Sequence, residues 1–324
     1  MERGAKYIVV LCVAAATAVL SGCNGKEGPK PAIRNNNYTV IEYMPAPGQY
    51  INNPRFGFDG NETTPEKAAG YADKALKSGV LINGKGDPVR VPVSLGGFGG
   101  YIVVKFDSSI KSYGKGSGKH EFSIVGNQFE GSSEPGVVWV SRDSNGNGLA
   151  DDIWYELAGS EHVAGRDRKE YLVTYFRSAA AKQERVWKDV DGVEGTIERV
   201  GITISPQDSY YPLWLDGLES YTLKGTLLPE NLSVDVDSGN YVAAGFEWGY
   251  ADNYSKADIA FGKGQYRNFF SISNAVDGGG NYADIEWIDF GTVHTGVLCK
   301  GYYIGGLSTE VSGIRDGQLQ DGIG

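Results

Sequence analysis

The sequence predicts a mainly all-β protein, a β-sandwich with one short N-terminal helix and long loop insertions. Three observations lead there. Glycine supplies 47 of the 324 residues and aromatic side chains 12%, the mixture of turn formers and strand-favouring rings that short antiparallel strands need. Apolar residues alternate in short runs, and the 3.6-residue period of a long helix is scarce. No repeat of about 20 to 50 residues is visible, which argues against a propeller or a solenoid.

The chain opens with Arg3 and Lys6, an apolar run over residues 7–20, and then Leu20, Ser21, Gly22 and Cys23. Residues 1–22 read as a lipoprotein signal peptide, because the run falls short of the about 20 apolar residues that span a bilayer. Small residues before a cysteine form a bacterial lipobox, so Cys23 is expected to be lipidated. Two or three acyl chains hold a protein at a membrane where one does not. Residues 23–45 read as a flexible tether rich in Gly, Pro, Lys and Asn. Residues 46–324 then form a single large sandwich domain with an insertion around 161–268. The expected place is the outer membrane, lipid-anchored, with the periplasmic and the outside face both open from these residues.

Within the domain, one helix is predicted. Thr64 caps it, Pro65 sits in its first turn, Ala68, Tyr71, Ala72, Ala75 and Leu76 repeat at three and four, and Gly79 ends it. Strands are expected at 101–106, where Ile102, Val104 and Phe106 share a face, and at 121–125, 136–140 and 154–157. Further strands are expected at 171–176, 196–204, 221–224, 232–236, 241–248, 269–273 and 285–294.

Net charge is -10, and loss of a leader carrying Arg3, Lys6 and Glu2 makes it more negative by one. Such a surface disfavours nucleic acid and anionic lipid as partners. Cys12 lies in the leader and Cys23 takes the lipid, so Cys299 alone remains and no internal disulfide is expected. The fold must rely on its core.

The stretch from Asp143 to Asp152 (DSNGNGLADD) sets side-chain oxygens at every second position around a glycine. A hard divalent cation takes about six to eight oxygens, and a tight loop supplies them from positions 1, 3 and 5, a carbonyl at 7 and a group at 9. Those are Asp143, Asn145, Asn147, Leu149 and Asp151, with Asp152 as a further donor, and the expected ion is a structural Ca2+. Position 12 is Trp154, where an EF-hand carries a bidentate Glu. The missing oxygens must come from Asp152, Glu156, water or a distant segment such as Asp252. A metal-free hairpin turn of the same composition is the alternative.

Aromatic residues give the ligand expectation. Tyr210, Tyr211 and Trp214 fall in a Pro-containing loop, while Trp248, Tyr250 and Tyr254 surround Asp252 and Asn253. Rings beside amide and carboxylate groups suit a large amphipathic ligand or a sugar; the same rings are also ordinary core material. Tyr250 and Tyr254, in a polar turn-like stretch, are expected at the surface.

Catalytic patterns are missing. His120, His162 and His294 lack metal-pair spacing, no G-x-S-x-G elbow occurs, and the Gly96–Gly100 run precedes a strand instead of a helix. His120 and His162 are expected in surface loops and His294 at a strand end. A carboxylate pair for glycoside hydrolysis stays open, because separation in space is invisible in sequence.

The order of motifs carries a resemblance. Residues 94–101 (SLGGFGGY), 122–127 (FSIVGN) and 134–140 (EPGVVWV) resemble the front half of a galactose-binding-like jelly roll, and 270–277 (FSISNAVD) with 285–295 look like its returning strands. Together with residues 154–160 (WYELAGS), 210–214 (YYPLW) and 247–254 (EWGYADNY), the chain resembles a family of Bacteroidota cell-surface lipoproteins over about residues 47–313. Members of that family are similar to proteins found beside outer-membrane cobalamin transporters. The resemblance implies a non-enzymatic lipoprotein that captures a cobamide and passes it to a transporter. Carbohydrate binding or glycan processing is the alternative, and an adhesive module a third reading.

Overall fold

The computed structural model describes residues 37–78, 81–82, 88–89, 92–178, 185–197, 209–237, 239–261, 266–298 and 306–317. They form a mainly β structure of antiparallel sheets with few helices. Six strands make the central sheet, in the order Tyr38–Met44, Tyr101–Lys111, Trp287–Thr295, Gly136–Ser141, Trp154–Leu157 and Ala275–Val276. The two-residue period puts Ile102, Val104, Val138, Val140 and Val293 on one face. They are buried with Phe122, Ile124, Phe270 and Ile314. Those four belong to a three-stranded sheet of Arg267–Phe270, Phe122–Val125 and Gly313–Asp316. These two sheets are the expected sandwich.

The Pro65–Ser78 helix closes one end of this core with Ala68, Ala72, Ala75 and Leu76. Thr64 Oγ1 accepts from Lys67 N at 3.3 Å, the cap its sequence implies. Asp73 on the helix accepts from Val40 N at 2.9 Å, next to the register slip between Val40 and Glu42 in the edge strand. The side chain thus supplies an acceptor where the ladder is irregular. At the far edge the Tyr38 hydroxyl accepts from Ile314 N at 3.4 Å, which joins the first described strand to the last.

The second face of the central sheet carries Tyr101, Val103, Trp139, Trp154, Glu156, Thr292 and His294. Over part of it lies a four-stranded sheet ordered Glu194–Ile197, Arg185–Asp189, Arg168–Phe176 and Ser220–Leu227. Tyr171, Tyr175, Trp187 and Leu223 pack with Phe98 there. This sheet falls within the stretch expected as an insertion. The joint is polar at its centre: Glu156 accepts from Lys169 Nζ and Thr226 Oγ1, both at 2.5 Å. His294 Nε2 accepts from Thr226 N at 3.3 Å, so Nδ1 carries the proton and donates to the Thr295 carbonyl at 3.0 Å. Burial holds this imidazole's pKa down at about 4.

The Gly96–Gly100 run is a packing device. A methyl on Gly100 would strike the Leu95 carbonyl and the Ala46 nitrogen, and Gly96 sits at φ +70° against the Ala46 carbonyl. Only glycine lets these backbones meet.

Several boundaries depart from expectation. Tyr38–Met44 lies inside the stretch read as tether, yet it pairs with Tyr101–Lys111. The strand expected at 241–248 stops at Ala243. Beyond it, the Asn253 carboxamide takes both Phe246 N and Phe246 O and holds the chain in a turn. The strand at 269–273 ends at Phe270 and becomes a 3-10 turn over Ile272–Asn274, with Ile272 N donating to buried Glu121. The signal peptide, Cys23, Gly79, Cys299 and residues 198–204 of an expected strand lie outside the described residues.

Gly100→Ala is expected to destabilise the protein by about 3 kcal/mol or more, measured by denaturant unfolding. A second expectation concerns acid. His294 has a folded pKa below its unfolded value of about 6.5, so its stabilisation is present at neutral pH and drains away as pH falls toward 4. That amounts to about 3 kcal/mol, and unfolding curves at pH 7.5 and 4.5 should differ more for wild type than for His294→Gln.

Candidate functional site

Where the four-stranded sheet stops, the second face of the central sheet stays open as a cleft of about 350 Å³. Two half-buried indoles, Trp139 and Trp154, sit in it. Trp139 opposes Glu156 while Trp154 opposes Ser141, so the two rings are diagonal neighbours on one face. Tyr101, Val103 and Thr292 line the cleft from the adjacent strands, and Glu42, Glu170 and Lys224 bring charge to it. Glu42 accepts from the Tyr101 hydroxyl at 2.5 Å, and Lys224 pairs with Glu170 at 2.7 Å. Glu170 has φ 56°, although it lies within a strand. The pairing strand slips register between Gly225 and Leu227, close by. A non-glycine residue held in left-handed backbone is strained, and a bulge of this kind redirects a side chain.

The predicted calcium loop adjoins the cleft. Ala150 lines it and accepts from Trp154 Nε1 at 3.4 Å. Lys105 Nζ donates to the Gly148 carbonyl at 2.8 Å. Inside the loop, Asp143 Oδ2 accepts from Gly148 N at 2.7 Å, Asn145 Oδ1 from Asn147 N at 2.8 Å, and Asn147 Oδ1 from Leu149 N at 2.7 Å. Asp152 Oδ2 accepts from Ser144 N at 3.1 Å, and Asp151 takes the Asn147 carboxamide at 3.0 Å. Leu149 turns its side chain to solvent. Asp289 in the central strand accepts from Asp143 N at 2.8 Å, which ties the loop to the sheet. One oxygen is left over: Asp143 Oδ1 is buried with no hydrogen-bond partner. A buried carboxylate oxygen without a donor fits a cation. Trp154, at the position of the absent Glu, is a wall of the cleft instead.

The aromatic loops are largely interior, and Tyr250 is not at the surface as expected. Tyr210, Tyr211, Tyr250, Asp252 and Asn253 are all buried, Tyr250 to 1% exposure. The Tyr250 hydroxyl accepts from Glu161 N at 3.0 Å, and its ring packs on Phe246. Trp214 is half-buried against Tyr43 at 5.9 Å. Trp248 lines a second, more open hollow beside the Arg166–Glu161 ion pair, and Tyr254 is half-buried with its N donating to Ser133 Oγ at 2.9 Å. Asp252 does not complete the calcium loop, because its carboxylate accepts from Asn127 N and Glu310 N. Rings in a polar stretch were buried because amide and hydroxyl partners came with them.

Two of the histidines have protein partners. His294 is buried in the sheet joint, and His162 pairs with Asp167 at 3.0 Å. Glu156, His162 and Asp167 converge, but the Lys169 ammonium already lies 2.5 Å from Glu156 and 2.9 Å from Asp167. Trp139, Trp154, Glu170 and Lys224 were not read as ligand-binding from sequence. Their common face depends on strand pairing, which a single sequence does not display. No protein-family model matches the chain, and no curated protein matches its sequence.

Proposed function

We propose that the protein is a non-enzymatic capture lipoprotein of the outer membrane, anchored through Cys23, that holds a glycan in the Trp139–Trp154 cleft for uptake by a transporter. The observation that carries this reading is the pair of indoles on one sheet face with a charged rim of Glu42, Glu170 and Lys224. A sugar offers apolar C–H faces to rings and hydroxyls to carboxylates and ammonium groups, and this cleft supplies both kinds of partner. The strained backbone of Glu170 supports the same location. Both carboxylates are held by neighbours, Glu42 by Tyr101 and Glu170 by Lys224, an arrangement suited to binding without turnover. A cobamide, which the sequence resemblance implies, is far larger than the cleft and would seat only one edge of itself there.

Calcium belongs to this proposal as the ion that holds the neighbouring wall. Asp143, Asn145, Asn147, the Leu149 carbonyl and Asp151 would hold it, with Asp152 beside them, and Asp143 Oδ1 is the oxygen it would satisfy.

Trp154→Ala and Trp139→Ala are each expected to weaken glycan binding by about tenfold or more while the fold is kept. Affinity electrophoresis on a polysaccharide panel, with a cyanocobalamin titration alongside, checks this. Retention of none of the glycans, or cobalamin binding that ignores both substitutions, would sink the glycan reading. For the ion, millimolar calcium should raise the melting temperature over chelator by an amount that Asp143→Ala diminishes. Equal shifts in wild type and variant would make the loop a plain turn.

A further inference from the structure

Away from the cleft, three carboxylates from distant parts of the chain meet inside the protein. Glu134 precedes the Gly136–Ser141 strand, Asp252 sits in the loop paired to that strand through Ala251, and Glu310 belongs to the short Glu310–Val311 strand. An oxygen from each lies within 4.8 Å of the other two. Asp252 and Glu310 are fully buried, with Glu134 at the rim. Two of the three have donors: Glu134 Oε1 accepts from Ser308 N at 2.9 Å, and Asp252 accepts from Asn127 N at 2.9 Å and Glu310 N at 2.8 Å. No donor sits in good hydrogen-bond geometry to either oxygen of Glu310, whose polar neighbours are the Ser308 hydroxyl and the Glu134 carboxyl. Among the described residues, no Lys or Arg forms an ion pair with any of the three. Burial pushes all three carboxyl pKa values up, and for Asp252 and Glu310 the neighbouring carboxylates add to it.

A fourth oxygen makes the case for a cation instead of a plain cluster of acids. Gln128 is 1% exposed, and its Oε1 has no donor. It lies beside Asp252: a methyl carbon on Gly126 would touch both Gln128 Oε1 and Asp252 Oδ1. The orientation of this carboxamide is set by its neighbours. Asn268 Nδ2 donates to the Asn253 carbonyl and to Asp258 Oδ2, both at 2.8 Å, so Asn268 Oδ1 must face Gln128. Gln128 therefore gives its Nε2 to Asn268 at 2.9 Å and turns its oxygen toward Asp252. A site meant to quiet a buried carboxylate with a hydrogen bond would present the NH2. This one presents an acceptor to an acceptor, which is costly unless a positive charge lies between.

We propose that Glu134, Asp252, Glu310 and the Gln128 carboxamide oxygen form a buried cage for a hard divalent cation of the calcium class, separate from the Asp143 loop. A shared proton would satisfy one carboxyl pair and leave Gln128 facing an anion; a divalent ion serves all four oxygens. Calcium fits better than magnesium, which keeps several waters and takes poorly to an all-protein cage. The ion would pin together segments that lie far apart in the chain, much as a disulfide would.

Metal content of the purified full chain, dialysed without chelator, is read by mass spectrometry for wild type, Asp143→Ala, and Asp143→Ala combined with Glu310→Gln. Asp143→Ala is expected to keep one tightly held calcium per chain, and the double variant to lose it. Absence of calcium from Asp143→Ala, or equal calcium in both variants, overturns the proposal. Because Asp143→Ala removes the loop, this outcome is independent of whether the loop binds. If the double variant does not fold, wild-type crystals grown with terbium in place of calcium decide the matter. An anomalous peak within about 2.6 Å of Asp252 and Glu310 oxygens supports the cage, and none there overturns it.

Discussion

A sheet that carries large side chains on both faces has to be covered twice, and among the described residues the second cover is incomplete. The first face of the central sheet is sealed by the three-stranded sheet and the Pro65–Ser78 helix. The second is met by the four-stranded sheet, through Tyr171 and Leu223 packed on Phe98 and through Lys169 and Thr226. The position of the cleft follows from where that cover ends. Under it, Glu156 and His294 are locked to Lys169 and Thr226. Beyond it, Trp139 and Trp154 of the same face are left half open.

Short strands leave many backbone groups without ladder partners, and buried side chains take their place. Glu121 is fully buried and accepts from Tyr113 N at 2.6 Å and Ile272 N at 2.9 Å. Asn253 serves both polar groups of Phe246, and Asn231 donates to the carbonyls of Ser133 and Ala244. Such groups tolerate burial because they hydrogen-bond to the backbone, and they specify turns that propensity alone would not.

How much of this was legible in the sequence depends on the range of the signal. The helix was legible because its apolar spacing, its Thr64 cap and Pro65 are local. Strands such as Trp154–Leu157 and Gly136–Ser141 were legible from alternation. Tyr38–Met44 was not, since its Asn-rich approach looks like linker and only pairing with Tyr101–Lys111 makes it a strand. For the site, the acidic loop stood out because its oxygens are close in sequence. The cleft did not, since Trp139, Glu170 and Lys224 meet only through register. Tyr250 misled for a related reason: its polar neighbours Asp252 and Asn253 are buried with it, which local hydrophilicity cannot reveal.

The hydrogen bond from Ile314 to the Tyr38 hydroxyl spans 276 residues. It closes a core to which the first and last described strands both contribute, with Tyr38 and Ile314 buried in the same cluster. A chain emerging from its N-terminus therefore cannot complete this sandwich until its final strand has been delivered, because the contacts that seal it are among the most distant in sequence. Until then the edge presented by Tyr38–Met44 waits with one side of the core unfilled. Closure of this core therefore waits on the pairing of segments about as far apart as any among the described residues.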